Sequence, residues 1–150
     1  MAKKIFVDAD ACPVVKTVER LAMQNKIPCV LVCDTSHSQS SDYSEVVIAS
    51  KGRDSADFVL LGLVSKGDIV VTHDYGLAGL CLAKGALALS PGGFEYTDSN
   101  ITEYLTARHL HAKARQAGDK LKGPKKRTNA QNVSFAKVLE YVIKRETENV

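Results

Sequence analysis

Ile5-Phe6-Val7-Asp8-Ala9-Asp10-Ala11-Cys12-Pro13 runs three large apolar residues into an acid, a small residue, a second acid and then a proline. A short apolar run of this kind reads as a buried strand. Pro13 suits the first turn of a helix, where its missing N–H is no loss. The strand, residues 4–8, therefore hands over to a helix that runs from near Pro13 to Asn25. Asp8 and Asp10 sit at that junction. In open α/β sheets the carboxyl edge of the strands is where ligands and chemistry collect.

Strand and helix patterns alternate from there. Val14, Val18, Leu21 and Ala22 fall on one helical face. Cys29-Val30-Leu31-Val32-Cys33 is a second apolar run and ends at Asp34. Thr35 to Asp42 is a polar, Ser-rich surface loop. Glu45–Ala49 makes a third strand. Gly52-Arg53-Asp54-Ser55 reads as a turn and helix cap, followed by an apolar stripe of Ala56, Val59, Leu60, Leu63 and Val64. Ile69 to His73 is the fourth strand, with Asp74 directly after it. Leu77, Leu80 and Cys81 form the next helix face, and Ala86–Leu89 the fifth strand. This alternation implies right-handed βαβ units and a parallel sheet. The expected fold is α/β: one three-layer α/β/α domain over residues 1–150, with strand order about 3-2-1-4-5 and C-terminal helices.

After Pro91-Gly92-Gly93 the character changes. Asn100-Ile101-Thr102-Glu103 has the form of a capping box. The helix it opens carries Arg108, His109, His111, Lys113 and Arg115, and Gly118 ends it. A basic turn, Lys120 to Arg127, precedes a last helix that buries Phe135, Val138, Leu139 and Val142.

Composition narrows the class. With 45% hydrophobic and 25% charged residues the chain is an ordinary globular domain. No apolar segment is long enough to span a membrane. The apolar run after Met1-Ala2-Lys3-Lys4 stops at Asp8, too short for a signal peptide, so the expected location is cytoplasmic. Cys12, Cys29, Cys33 and Cys81 form no C-x-x-C pair, and the four histidines complete no zinc spacing. They read as buried or incidental thiols. The net charge of +3 hides an asymmetry. Residues 1–100 carry 9 Lys and Arg against 12 Asp and Glu, a net −3, and residues 101–150 carry 11 against 5, a net +6. The front half gathers carboxylates and the back half is suited to an anion.

The expected order makes the first and fourth strands neighbours, which brings Asp8 close to Asp74. Asp54 and Asp57 open the helix after the third strand, on the same edge. Helix N-termini favour acids on their own account, which is the plain explanation of those two. Asp34, Asp42, Asp68 and Asp98 read as turn residues, and His73 as a packed or solvent-facing side chain. Carboxylates gathered in one cleft repel one another, and a divalent cation relieves the repulsion. Hard oxygen ligands with few imidazoles suit Mg²⁺ or Mn²⁺. Such an ion activates water and stabilises charge on a phosphoryl group. The expected metal set is Asp8, Asp54, Asp57 and Asp74, with Asp8, Asp10 and Asp74 at the chemistry. Arg108, Arg115, Lys122, Lys125, Lys126 and Arg127 are the expected phosphate or nucleic-acid contacts.

The motifs Asp8-Ala-Asp-Ala-Cys-Pro13, Gly52-Arg-Asp-Ser-Ala-Asp57, Gly67-Asp-Ile-Val-Val-Thr-His-Asp74 with Leu77-Ala78, Asn100-Ile101 and Gly123-Pro124 resemble the bacterial YaiI/YqxD family along nearly the whole chain. That family in turn resembles the PIN-like nucleases, small α/β domains with an acidic metal site. The resemblance implies RNA as substrate, Asp8 as the metal ligand of the first strand, Asp74 as the acid after the fourth, and Asp57 or Asp54 as the helix-borne acid. PIN enzymes have a further acid beyond the Asp74 position, whereas residues 76–91 here contain no Asp or Glu.

Two other readings share these residues. Asp8-x-Asp10 after an apolar strand matches the nucleophile motif of haloacid-dehalogenase-like phosphatases, with Asp8 attacking. Against it, Cys12 stands where Thr or Val is expected, and Gly67-Asp68 precedes a strand instead of following one. A non-catalytic RNA- or nucleotide-binding protein would need the basic half without the metal. The sequence gives it few aromatic stacking partners, with only Phe94 and Tyr96 close together.

Overall fold

The computed structural model describes residues 4–34, 40–50, 55–116, 118 and 126–148. Its elements in chain order are β1 (Ile5–Asp8), α1 (Val15–Gln24), β2 (Cys29–Asp34), β3 (Glu45–Ala49), α2 (Ser55–Leu63), β4 (Ile69–Val71), α3 (Tyr75–Ala83), β5 (Leu87–Ser90), β6 (Phe94–Tyr96), α4 (Asp98–Gln116) and α5 (Asn129–Glu148). The strands form one sheet in the order β3-β2-β1-β4-β5-β6. All pairs are parallel except β5 with β6.

Period-two alternation splits β1 between two cores, as a strand covered on both faces requires. Ile5 and Val7 pack with Val14, Val18, Leu21 and Ala22 around α1, and with Phe135, Leu139, Val142 and Ile143 of α5. Phe6 points the other way, to Leu60 and Val64 around α2 and to Leu77 and Cys81 of α3. This is the three-layer α/β/α arrangement expected from the alternation. Strand order reverses at β1: the chain goes on to β2 on one side and returns to β4 on the other. The α1 and α3 helices that follow these two neighbours cover opposite faces, so their leading loops diverge and leave a crevice at the carboxyl edge.

Several local expectations change. β6 is an additional, antiparallel edge strand. Its hairpin turns through Pro91-Gly92-Gly93, with the Gly93 N–H donating to the Ser90 carbonyl at 3.0 Å. Gly93 has φ +100°, and a Cβ there would stand 2.7 Å from Ser134 Oγ on α5, so both backbone and packing require glycine. The capping box lies three residues earlier than expected. Thr97 Oγ1 accepts from the Asn100 N–H at 3.2 Å, and Asn100 Oδ1 accepts from the Thr97 N–H at 2.8 Å. Asn100 thus closes the box instead of opening it, and α4 begins at Asp98. Leu63 and Leu80, placed on buried faces by spacing, are exposed. Their helices turn Leu60, Val64, Leu77 and Cys81 inward, and each short helix has room for only one such row. The Ser-rich loop lies partly outside the described residues.

Asp68 is a structural acid, as its turn position indicates. It is buried, and its two oxygens accept the N–H groups of Lys4 at 3.1 Å and Ser65 at 2.8 Å. Asp68→Asn leaves one of these donors facing an amide N–H₂ and should cost about 1–2 kcal/mol in urea unfolding. On the far side, Arg145 of α5 forks onto Glu95 of β6, with Nη1–Oε1 at 3.1 Å and Nη2–Oε2 at 2.8 Å. The pair is partly exposed and bidentate. Arg145→Ala should lower stability by about 1 kcal/mol, most of it recovered as coupling in a double-mutant cycle with Glu95→Ala.

Candidate functional site

The carboxyl ends of β1 and β4 meet at the crevice. Asp8 closes β1. Thr72, directly after β4, is fully buried and donates from Oγ1 to Asp8 Oδ2 at 2.8 Å. The same hydroxyl accepts the Asp74 N–H at 3.0 Å. Asp74 in turn caps α3, its Oδ1 accepting the Leu77 N–H at 3.0 Å. One hydroxyl thus ties together two of the acids expected to act. The backbone of Thr72 is itself held, its N–H by the Leu89 carbonyl at 3.1 Å and its carbonyl by the Tyr96 hydroxyl at 3.0 Å.

Asp8 is the electrostatic centre. Its carboxyl is pushed up from 3.8 to about 6, first by burial, then by Asp57, Asp10 and Asp74, with the Thr72 hydroxyl pulling the other way. Four of the expected acids therefore share one region of negative potential. Asp10 is also a backbone clasp, since its carboxylate accepts the Asp34 N–H at 3.1 and 3.3 Å and pins the end of β2 to the loop after β1. Between Asp10 and Cys12, Ala11 holds φ +56°, a left-handed conformation costly for a residue with a Cβ. Asp57 lies in the first turn of α2. Asp54 lies outside the described residues.

Asp8, His73, Asp74 and Tyr75 line an open cleft of about 400 Å³. Among the described residues, no group of three His, Cys, Asp or Glu side chains converges closely enough to form a ready-made metal cage. The donors that line it are the two carboxylates of Asp8 and Asp74 and one imidazole, of His73, so hard oxygens predominate. This suits Mg²⁺, which keeps several waters and takes one or two carboxylates together with substrate phosphate.

The basic residues divide. Lys122 and Lys125 lie outside the described residues, as does the side chain of Arg108. Arg115 and Lys126 are exposed, and neither is among the groups acting on Asp8. Arg127 is partly buried and acts on His73 and Cys12. His73 is exposed, and burial followed by Arg127 lowers its proton affinity. All four cysteines are free thiols, and burial pushes Cys12, Cys29 and Cys81 up to about 11, so they are inert at neutral pH.

Two features escape a reading by motif. One is Thr72, whose β-branched side chain reads simply as the end of a strand. The other is an aromatic stack beside the cleft: Tyr104 lies between Tyr75 and Phe94, each ring centroid 5.0 Å away, and Tyr96 meets all three edge-on. These rings come from α3, β6 and α4, so sequence proximity pairs only Phe94 with Tyr96. A Gly-containing turn between two apolar runs is the signal that would have found β6 and its aromatics.

A family model described as uncharacterised bacterial, YaiI/YqxD, matches residues 6–145. The chain belongs to the YaiI/YqxD family. Its relatives include UPF0178 proteins of Clostridium acetobutylicum, 47% identical over 95% of this chain and 97% of the relative, and of Ruminiclostridium cellulolyticum, 43% identical over 97% and 95%. A third, from Enterococcus faecalis, is 40% identical over 95% of this chain and 98% of the relative. No solved structure matches the chain. The YaiI/YqxD chain has no helix, among the described residues, long and apolar enough to cross a membrane.

Proposed function

We propose that this YaiI/YqxD protein is a divalent-metal-dependent phosphodiesterase that acts on RNA at the β1–β4 crevice. The observation that carries this reading is Asp8: a partly buried carboxylate whose proton affinity is raised by burial and by three neighbouring acids. An acid in that setting gains most from a cation that replaces its proton. Asp8 and Asp74 would hold Mg²⁺ or Mn²⁺, with Asp57 contributing to the negative field and Asp10 shaping the loop beside it. The bound ion would supply an activated water and charge stabilisation at the phosphoryl group. Thr72 orients the Asp8 carboxylate and fixes the loop that carries Asp74. Tyr75, backed by Tyr104, offers a ring at the cleft for a base, and the resemblance to PIN-like nucleases points to the same substrate.

One observation favours a second reading, a non-catalytic RNA- or nucleotide-binding protein: the described residues contain no three-ligand cage. The phosphatase reading gains no such support. The second acid of its Asp8-x-Asp10 motif holds the Asp34 N–H. Calorimetric titration of Mn²⁺ and Mg²⁺, with a mixed-RNA cleavage assay on the same samples, separates the readings. Saturable binding with cleavage supports the enzyme, binding without cleavage supports the second reading, and no uptake at millimolar metal removes the carboxylate argument.

A further inference from the structure

Arg127 stands just ahead of α5 and is held by it. Thr128 and Gln131 form a reciprocal cap, with the Thr128 N–H donating to Gln131 Oε1 at 2.9 Å and the Gln131 N–H donating to Thr128 Oγ1 at 3.3 Å. Arg127 Nε donates to Asn132 Oδ1 at 2.6 Å. The root of the guanidinium is therefore fixed by the first turn of the helix. Its far edge is different: Nη2 is shielded from solvent and meets no hydrogen-bond acceptor among the described residues. A guanidinium is a planar fork of five donors, and a buried donor without an acceptor is an unfavourable arrangement in the free protein.

Its place in the fold gives that edge a use. Ser134, in the second turn of α5, donates to the Gly93 carbonyl in the β5–β6 turn at 3.3 Å, so the start of α5, with Arg127 just ahead of it, lies at the carboxyl edge of the sheet, where Arg127 acts electrostatically on His73 and on Cys12. His73 lines the cleft with Asp8, Asp74 and Tyr75. Among the described residues the charges acting on Asp8 are those of Asp57, Asp10 and Asp74, so Arg127 is not its counter-ion. A fixed cation with an unpartnered donor, on the same sheet edge as a carboxylate cluster but not among the charges acting on Asp8, is suited to an anion that lies between the two. A planar fork matches the paired oxygens of a phosphate.

We infer that Arg127 receives the substrate phosphate at the reaction centre, through its unpartnered Nη2 and beside His73, and that Lys126 and Arg115 lie peripheral to that contact. This rests on reading the crevice as a phosphodiester site. It turns a diffuse basic half into one positioned residue, which is a different physical claim. A diffuse patch loses affinity in proportion to the charge removed, whereas a positioned fork is also sensitive to the shape of the cation.

The test uses the full chain in EDTA with 5′-fluorescein hexauridylate, followed by anisotropy across a salt series. Inorganic phosphate serves as competitor, and Mn²⁺ affinity is measured separately on the same proteins. Arg127→Met should weaken hexauridylate binding roughly tenfold, the order expected for one charge-assisted contact. The slope of log affinity against log salt should fall by about 0.7, the value for one single-strand phosphate. Arg127→Lys should restore the slope without restoring the affinity, because a point charge replaces the fork. Lys126→Met should change affinity by no more than about twofold, as for a peripheral charge. Equal losses in Lys126→Met and Arg127→Met would return the basic residues to a diffuse patch and overturn the inference. So would hexauridylate affinity in Arg127→Met equal to wild type, or no hexauridylate binding by wild type, with Mn²⁺ uptake intact. Failure of Mn²⁺ uptake in wild type strikes the metal-site reading instead. If Arg127→Met loses its native circular dichroism, Arg127→Lys against wild type decides, and equal affinities overturn the inference.

Discussion

Asp8→Asn should abolish saturable Mn²⁺ uptake and metal-dependent RNA cleavage while making the metal-free protein more stable at neutral pH. The two effects have one cause. Folding places this carboxylate where burial and three other acids oppose its charge, and its carboxyl rises from 3.8 to about 6. Between those two values the folded chain keeps a proton that the unfolded chain has released, so stability falls as pH rises through that window. The interval from 3.8 to about 6 bounds the loss at about 3 kcal/mol, and the partial exposure of the group reduces it to about 1–2 kcal/mol. The loss is complete above about pH 6 and absent at pH values below 3.8. Asparagine has nearly the same shape, still accepts from Thr72 through its carbonyl oxygen, and carries no charge. Urea unfolding should therefore place the variant above wild type by about 1–2 kcal/mol near neutrality, with the difference closing as both are taken toward the carboxyl's ordinary range. Removing the ligand charge should lower metal-dependent activity by at least about a thousandfold, as expected when the group holding the ion is lost. A variant that binds Mn²⁺ like wild type would sink the metal assignment. One that gains no stability at neutral pH would show that the carboxylate is not opposed by its surroundings.

The same balance explains why the acids were visible in the sequence and their arrangement was not. An apolar run that stops at an acid is a local signal, and β1 and β2 each carry it, while β4, shorter than the expected Ile69 to His73, ends at Val71 and reaches Asp74 only after Thr72 and His73. Those runs, with the helical stripes between them, mark five strands; the expected order 3-2-1-4-5, which the sheet has, is what puts Asp8 beside the end of β4. Helix faces were less legible where a helix has only two or three turns. Leu63 and Leu80 fit the spacing, yet other residues fill the single buried row. β6 was not legible as a strand because three residues carry no periodicity; it exists through pairing with β5 and the fork between Glu95 and Arg145. Asp10 and Asp74 illustrate the limit for the site. Both stand where chemistry was expected, and both also hold backbone N–H groups, one at Asp34 and one at Leu77. Only coordinates separate an acid that faces the crevice from one that also shapes it.

Thr72→Val is the sharper probe, because it leaves every acid in place. Valine matches threonine in volume and in β-branching, so the buried packing after β4 is kept. What disappears is one hydroxyl that donates to Asp8 Oδ2 and accepts the Asp74 N–H. The Asp74 N–H is left without that acceptor, and Asp8 loses a hydrogen bond that lowers its proton affinity. Stability should drop by about 2–3 kcal/mol, the cost of unmaking two hydrogen bonds in a partly buried site. The Asp8 carboxyl should titrate higher than about 6, which a ¹³C-carboxyl NMR titration reads directly. Mn²⁺ affinity should fall about 10–100-fold, as when the group orienting a metal ligand is removed. Thr72→Ser separates orientation from packing. It keeps the hydroxyl and loses one methyl, so it should cost about 1 kcal/mol of stability yet hold both the Asp8 titration and the Mn²⁺ affinity near wild type. If Val and Ser variants titrate and bind alike, Thr72 merely fills space and the link between the two acids is not functional. If they split as described, the crevice is a preorganised pair of carboxylates held across the β1–β4 junction by a side chain that neither acid's own motif contains.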